Sequence, residues 1–195
     1  MSKLDIPCII FAGGKSSRMG KDKSLLPFAG FSTLSEYQYR RLSKIFNNVY
    51  ISAKENKFNF AAPLIKDRDS ARFAPTFGIL SSFESLNSEF FAISVDTPFV
   101  DKEVIKKLIE KAKLHPKKDA VIARTKSGTH PLIGIYRPSI APKIKELAQK
   151  KNFKLNYLLK ISNTLFVDFE DEEKFLNLNR PEDYNRAIHL LNRDT

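Results

Sequence analysis

Residues 9–26 read Ile-Ile-Phe-Ala-Gly-Gly-Lys-Ser-Ser-Arg-Met-Gly-Lys-Asp-Lys-Ser-Leu-Leu. An apolar run breaks off at Ala12-Gly13-Gly14, and Lys15, Arg18, Lys21 and Lys23 follow with a single acid, Asp22. Glycine lets the backbone turn sharply and approach a ligand closely. Successive N–H groups in such a turn form an anion-binding concavity. Arg18 adds a planar fork for phosphate oxygens and Lys23 a mobile point charge, so the stretch reads as a triphosphate-binding loop.

Two other phosphate loops fail here. A P-loop needs glycine five positions before Gly14, where Ile9 stands, and the adjacent pair Gly13-Gly14 followed by Lys15 does not give the Gly-x-Gly-x-x-Gly dinucleotide fingerprint. The apolar run Ile6–Phe11 is of the kind that forms a strand buried on both faces, which places the loop at a strand's carboxyl end, where open parallel sheets bind ligands.

Outward from this stretch, strands and helices alternate. Leu34, Tyr37, Arg41, Leu42 and Ile45 recur at helical spacing, and 49–51 reads as a second strand. Residues 61–65 are a short candidate strand ending at Lys66-Asp67, 69–76 an exposed loop, 77–86 a helix, and 90–95 a strand that runs into Asp96-Thr97-Pro98. Helix 101–114, strand 120–123, loop 124–129, strand 130–137, helices 140–148 and 155–161, and strand 165–169 follow. A terminal helix closes the series, with Asn179 as its N-cap and Pro181 in its first turn. The pattern predicts a Rossmann-like, doubly wound α/β fold: a mostly parallel sheet with helices on both faces, built as one domain over residues 1–195.

Composition narrows the function classes. The net charge of +11 favours anionic partners, but the lysines, Lys54 and Lys57 among them, are scattered and read as a solvated basic surface. The single cysteine, Cys8, excludes an internal disulfide framework and reads as a packed strand residue; His115, His130 and His189 show no metal-ligand spacing. The early apolar segment is too short to span a membrane, so a cytoplasmic protein is expected. Asp96 after a buried strand suits either a turn cap or a Mg²⁺ carboxylate, since Mg²⁺ takes one or two carboxylates plus substrate phosphates.

The pattern Ala12-Gly13-Gly14-x-Ser16-x-Arg18-Met19-Gly20-x-Asp22-Lys23 resembles the opening of the molybdenum cofactor guanylyltransferases (MobA type) and their wider nucleotidyltransferase relatives. The resemblance extends through Lys66-Asp67, Asp96-Thr97-Pro98, His130-Pro131 and the segment from Asn177 to Asp183. It implies transfer of GMP from GTP to the phosphate of molybdopterin cofactor, with pyrophosphate released. Ala12, Gly13 and Gly14 would approach the nucleotide, with Lys15 a further contact. Arg18 and Lys23 would stabilise the departing phosphates, Asp96 would hold Mg²⁺, and Asp67 would recognise the guanine nucleotide or serve only as a strand-end turn acid. His130 and Asn177 would lie near the second substrate, and the product would pass to a molybdoenzyme or its chaperone.

Two departures stand out. Ser52 occupies a nucleotide-binding position where relatives often carry asparagine, and residues 73–78 replace a stretch where relatives tend to show Gly-Pro. Both leave room for a cytidylyl- or sugar-phosphate nucleotidyltransferase. A non-catalytic nucleotide- or RNA-binding module is the rival from another class, and it predicts basic and aromatic residues interleaved on a sheet face. The sixteen phenylalanines instead fall mainly in apolar runs.

Overall fold

The computed structural model describes residues 2–13, 22–67 and 74–192. Its frame is a seven-stranded sheet of β1 (Cys8–Phe11), β2 (Val49–Ala53), β3 (Leu64–Lys66), β4 (Phe90–Ser94), β5 (Ala120–Thr125), β6 (Gly128–Tyr136) and β7 (Thr164–Asp168), in the order β3-β2-β1-β4-β6-β5-β7. Only β6 runs antiparallel, pairing with β4 on one side and β5 on the other.

Side-chain alternation divides the core in two. From β1, Cys8 and Ile10 point into one apolar cluster and Ile9 and Phe11 into the other. The first cluster is closed by α1 (Leu34–Leu42), α3 (Lys102–Leu114) and α6 (Pro181–Leu191), which contribute Leu34, Leu108 and Ala187. The second is closed by α2 (Pro75–Leu86), α4 (Ala141–Gln149) and α5 (Leu155–Ile161), through Ile79, Ile144 and Leu158. Helices therefore cover both faces, as the alternating pattern predicts. Cys8 is fully buried, which pushes its thiol far up and leaves it an inert packing residue.

Several boundaries differ from the sequence reading. The segment 124–129 is not a loop: β5 and β6 continue through it to the pair Thr125 and Gly128, with Gly128 at φ +135°. The polar residues there belong to a hairpin tip, where Arg124 makes a bidentate pair with Asp168 of β7 at 2.6 and 2.8 Å. Helix α2 begins at Pro75, so Thr76 is helical and buried rather than part of an exposed loop; residues 68–73 lie outside the described residues. The third strand starts at Leu64, just beyond Pro63, whose missing N–H limits ladder pairing. At α6 the N-cap is Arg180, not Asn179. The Asp183 carboxylate accepts from the N–H groups of both Asn179 (3.1 Å) and Arg180 (2.9 Å), which frees the Asn179 side chain for another contact.

In this strand order, the direction of winding across the sheet reverses between the parallel neighbours β1 and β4: β1 leads outward to β2 and β3, and the chain then crosses back to β4. Ligands in doubly wound sheets bind beyond the carboxyl ends of the strands at that switch point. Ala12-Gly13 and Ser94-Val95-Asp96 lie there, one on each side. No helix of the described residues is long and apolar enough to cross a membrane.

Candidate active site

The turn that carries Asp96 is braced from beneath by α1. Gln38, fully buried, donates through Nε2 to the carbonyls of Val95 (3.2 Å) and Thr97 (3.1 Å), and its Oε1 accepts from Arg41 at 2.6 Å. Arg41 also bonds the Val100 carbonyl. Backbone groups that the strand ladder leaves unpaired are thus satisfied by side chains, which fixes the turn's shape. Asp96 is 5% exposed. Its carboxylate accepts from the Ser94 hydroxyl and pairs with Lys23, whose ammonium also donates to Asn179 Oδ1 at 3.1 Å. The Asp96 carbonyl accepts from Leu178 N at 2.9 Å, so the 177–179 segment is tied to the same turn.

On the other side of the switch point, Phe11, Gly13, Ser52, Lys54, Asp67, Ala74, Pro75 and Leu132 line a pocket. The Ser52 hydroxyl donates to Asp67 Oδ1 at 2.8 Å. Burial pushes the Asp67 carboxyl above its ordinary value, and the Ser52 bond and the Lys54 charge offset only part of that rise. Gly78 of α2 presses on this pair: a Cβ there would stand 2.8 Å from Ser52 Oγ.

A second cavity, of about 200 Å³, opens beside Asp96 and is lined by Ser94, Thr97, Thr129, His130, Leu132 and Asn177, with Pro131, Ile133 and Leu155. Leu132 borders both spaces. His130 packs against Phe175 with the rings tilted and their centroids 4.7 Å apart, and shares a 3.0 Å hydrogen bond with Thr125. Burial lowers its pKa below 6.5, with Glu172 partly opposing, so the neutral ring is favoured. Asn177 Oδ1 is buried and has no hydrogen-bond partner among the described residues. An orphaned acceptor of this kind suits a ligand donor.

Of the residues singled out in the sequence, Ala12, Gly13, Lys23, Ser52, Asp67 and Asp96 gather at the carboxyl ends of β1, β2, β3 and β4, and His130 and Asn177 share the neighbouring cavity. Gly14, Lys15 and Arg18 lie outside the described residues. Sequence reasoning missed four side chains. Ser94 and Asn179 bond Asp96 and Lys23, Lys54 lines the Asp67 pocket, and Lys57 donates to the Ala12 carbonyl at 3.2 Å and pairs with Asp22. Lys54 and Lys57 are therefore not part of a merely solvated surface. Only for Asn179 was there a signal, its place two residues after Asn177.

A carboxylate held at the switch point of a doubly wound sheet, with a lysine upon it and pockets to either side, suits phosphoryl-type transfer between two bound substrates and defines the class as a nucleotidyltransferase. The chain belongs to the MobA-like NTP transferase domain family, whose model matches residues 8–163. A molybdenum cofactor guanylyltransferase of Campylobacter jejuni is 40% identical over 184 residues, covering 93% of this chain and 95% of that protein. The crystal structure of molybdopterin-guanine dinucleotide biosynthesis protein A from Archaeoglobus fulgidus superposes with TM-score 0.83 at 20% identity, over 96% of this chain and all of that one. Rv0371c from Mycobacterium tuberculosis, solved in complex with manganese, has the same fold at TM-score 0.65 and 15% identity, over 95% and 99% of the two chains.

Proposed function

We propose that this chain, working as a single nucleotidyltransferase domain in the cytoplasm, transfers GMP from GTP to the phosphate of molybdopterin cofactor and releases pyrophosphate. The observation that carries the reading is a pair of spaces that share Leu132: a Ser52–Asp67 pocket beside Gly13, and a separate cavity flanked by the Asp96 turn and lined by His130 and Asn177. The name of the Campylobacter relative supports the choice of base and acceptor.

In this reading GTP lies with its base toward Ser52 and Asp67, its phosphates over the glycine turn, and its α-phosphate near Asp96. The Asp67 carboxylate accepts from the guanine ring N–H and amino groups. An oxygen of the acceptor phosphate forms a bond to the α-phosphorus as the bond to the β-phosphate oxygen breaks, and pyrophosphate leaves with that electron pair. The nucleophile is already an anion, so no general base is required. Positioning and charge neutralisation carry the rate. Lys23 and Arg18 neutralise the phosphates that leave, and Asn179 holds the Lys23 ammonium in place.

Among the described residues no three His, Cys, Asp or Glu side chains gather as a metal cage. A single carboxylate polarised by Ser94 does fit Mg²⁺, which takes few protein ligands when phosphates supply the rest. Asp96 would hold it, and the ion would supply charge stabilisation at the phosphate oxygens. The product's onward transfer to a molybdoenzyme or its chaperone belongs to the same reading. The test is pyrophosphate release from each of the four nucleoside triphosphates with Mg²⁺ and molybdopterin cofactor. GTP alone should support turnover, and a preference for CTP or UTP overturns the guanylyl assignment.

A further inference from the structure

The nine residues 13–21 carry Lys15, Arg18 and Lys21, and the two positions that flank them, Ala12 and Asp22, meet at one ammonium. Lys57 Nζ donates to the Ala12 carbonyl at 3.2 Å and forms an ion pair with the Asp22 carboxylate. The two ends of the loop are thus joined across a single side chain that comes from neither end but from the connection between β2 and β3.

Both partners of Lys57 are themselves fixed. Ala12 N donates to the Ser52 carbonyl at 3.0 Å, which continues the β1–β2 ladder one step past the strand. Asp22 is the N-cap of the short 3₁₀ turn Lys23–Leu25, where its Oδ1 accepts from Ser24 N at 3.0 Å and from Ser24 Oγ at 2.6 Å. The other carboxylate oxygen is the one that meets Lys57. Burial by itself raises the Asp22 carboxyl, but the bonds from Lys57 and Ser24 outweigh it and hold Asp22 ionised below its ordinary value.

The Lys57 connection is anchored as well. Its neighbour Phe58 packs against Phe60 (5.7 Å between centroids), Phe60 against Tyr39 of α1 (5.7 Å), and Asn59 Nδ2 donates to Ser32 Oγ at 3.2 Å. The Lys57 ammonium also lies 5.8 Å from the centre of the Phe58 ring. A lysine serving only solubility has no need of this seating. Its side chain is 21% exposed.

We infer that Lys57 is a positioning residue that clamps the base of the glycine-rich basic loop, and that nucleoside triphosphate affinity depends on this clamp. The inference rests on the nucleotide reading of the loop. Holding the Ala12 carbonyl and the Asp22 carboxylate on one ammonium fixes the two points from which the loop departs and returns, so less ordering is left for nucleotide binding to supply. It also sets where Lys23 begins, one residue after Asp22, and so the reach of that ammonium to Asp96. Lys57 acts only through Ala12 and Asp22 and is not given a contact with substrate.

The test uses the full chain and GTP with Mg²⁺, followed by titration calorimetry, on Lys57→Gln, Lys57→Arg, Asp22→Asn and the double variant Asp22→Asn/Lys57→Gln. Lys57→Gln should weaken GTP binding roughly tenfold or more, with its thermal midpoint close to wild type, and Lys57→Arg should recover most of that loss. The double variant should bind within about threefold of Lys57→Gln, because both changes break one contact. Equal GTP affinity in Lys57→Gln and wild type overturns the proposal, as does full additivity of the two changes. A second readout, amide hydrogen exchange at Ser24, Leu25 and Leu26, needs no ligand: exchange there should rise in Lys57→Gln while β1 and β4 stay protected. Should wild type itself fail to bind GTP, the nucleotide reading falls, and unchanged exchange at these amides would then overturn the clamp as well.

Discussion

Replacing Gly78 by alanine sets two known effects against each other. In a helix interior the change ordinarily gains about 1 kcal/mol. In α2 the new Cβ would stand 2.8 Å from Ser52 Oγ, 3.0 Å from a ring carbon of Phe11 and 3.1 Å from Asp67 Oδ1, all closer than relaxed contact. Ser52 and Asp67 can swing aside only by giving up their 2.8 Å hydrogen bond. A buried donor or acceptor left unpaired costs about 1–3 kcal/mol, and pressing on the Phe11 ring adds about 1–3 kcal/mol. With the helical gain subtracted, the net destabilisation centres on about 3 kcal/mol, which lowers the thermal midpoint by about 6–12 °C for a chain of this size. GTP affinity should fall as well, by roughly tenfold or more, since about 1.4 kcal/mol of lost recognition at Asp67 is one factor of ten. Differential scanning calorimetry gives the first quantity and titration calorimetry with GTP and Mg²⁺ the second. A raised midpoint with unchanged GTP affinity would refute the reasoning, because it would mean that α2 does not press on the Ser52–Asp67 pair.

Three further substitutions probe other parts of the site. Asp96→Ala should lower turnover by about 10²–10³ or more, measured as pyrophosphate release, while circular dichroism shows the sheet intact; turnover within tenfold of wild type would remove Asp96 from the chemistry. Burial holds the Asp67 carboxyl above its ordinary value of 3.8, so the folded state binds its proton more tightly than the unfolded chain does. The stability this adds is present below that value and is lost as pH rises through the higher folded value. Asp67→Asn should therefore flatten the midpoint-against-pH curve on the acid side of neutrality and abolish the preference for GTP; an unchanged curve contradicts the burial argument. Asn177→Leu removes an acceptor that is buried without a protein partner, so stability should hold or rise. The KM for the molybdopterin acceptor should increase at constant GTP affinity, and steady-state kinetics with each substrate varied in turn would separate the two.

What the sequence displayed depended on how local each feature is. The run Ile6–Phe11 breaking at Gly13, and 90–95 running into Asp96, each carry strand, turn and chemistry within a dozen residues, so the doubly wound sheet and the placement of Asp96 at a strand end were legible. The Lys23–Asp96 pair joins residues 73 apart and the Lys23–Asn179 contact residues 156 apart, and no local pattern announces either. Lys57 read as surface charge because its neighbours Glu55 and Asn56 are polar. Its role appears only when the β2–β3 connection folds back over Ala12. The hairpin tip at 124–129 was misread for a related reason. Arg124, Lys126 and Ser127 look like loop, yet the β5–β6 ladder runs out to Thr125 and Gly128 and leaves only Lys126-Ser127 as the turn, with Arg124 answered across the sheet by Asp168. Asn179 looked like a helix cap, but the Asp183 carboxylate already serves the end of α6, leaving the amide for Lys23.

In the proposed reading GTP spans the sheet's switch point, from the Gly13 turn to Asp96. A crystal of this protein grown or soaked with GTP and Mg²⁺ tests it most directly. The account predicts guanine against Ser52 and Asp67 and a metal ion on the Asp96 carboxylate, with Lys23 turned toward the phosphates. A nucleotide bound away from the carboxyl ends of β1 and β4, with Asp96 still engaged only by Lys23 and Ser94, would contradict it.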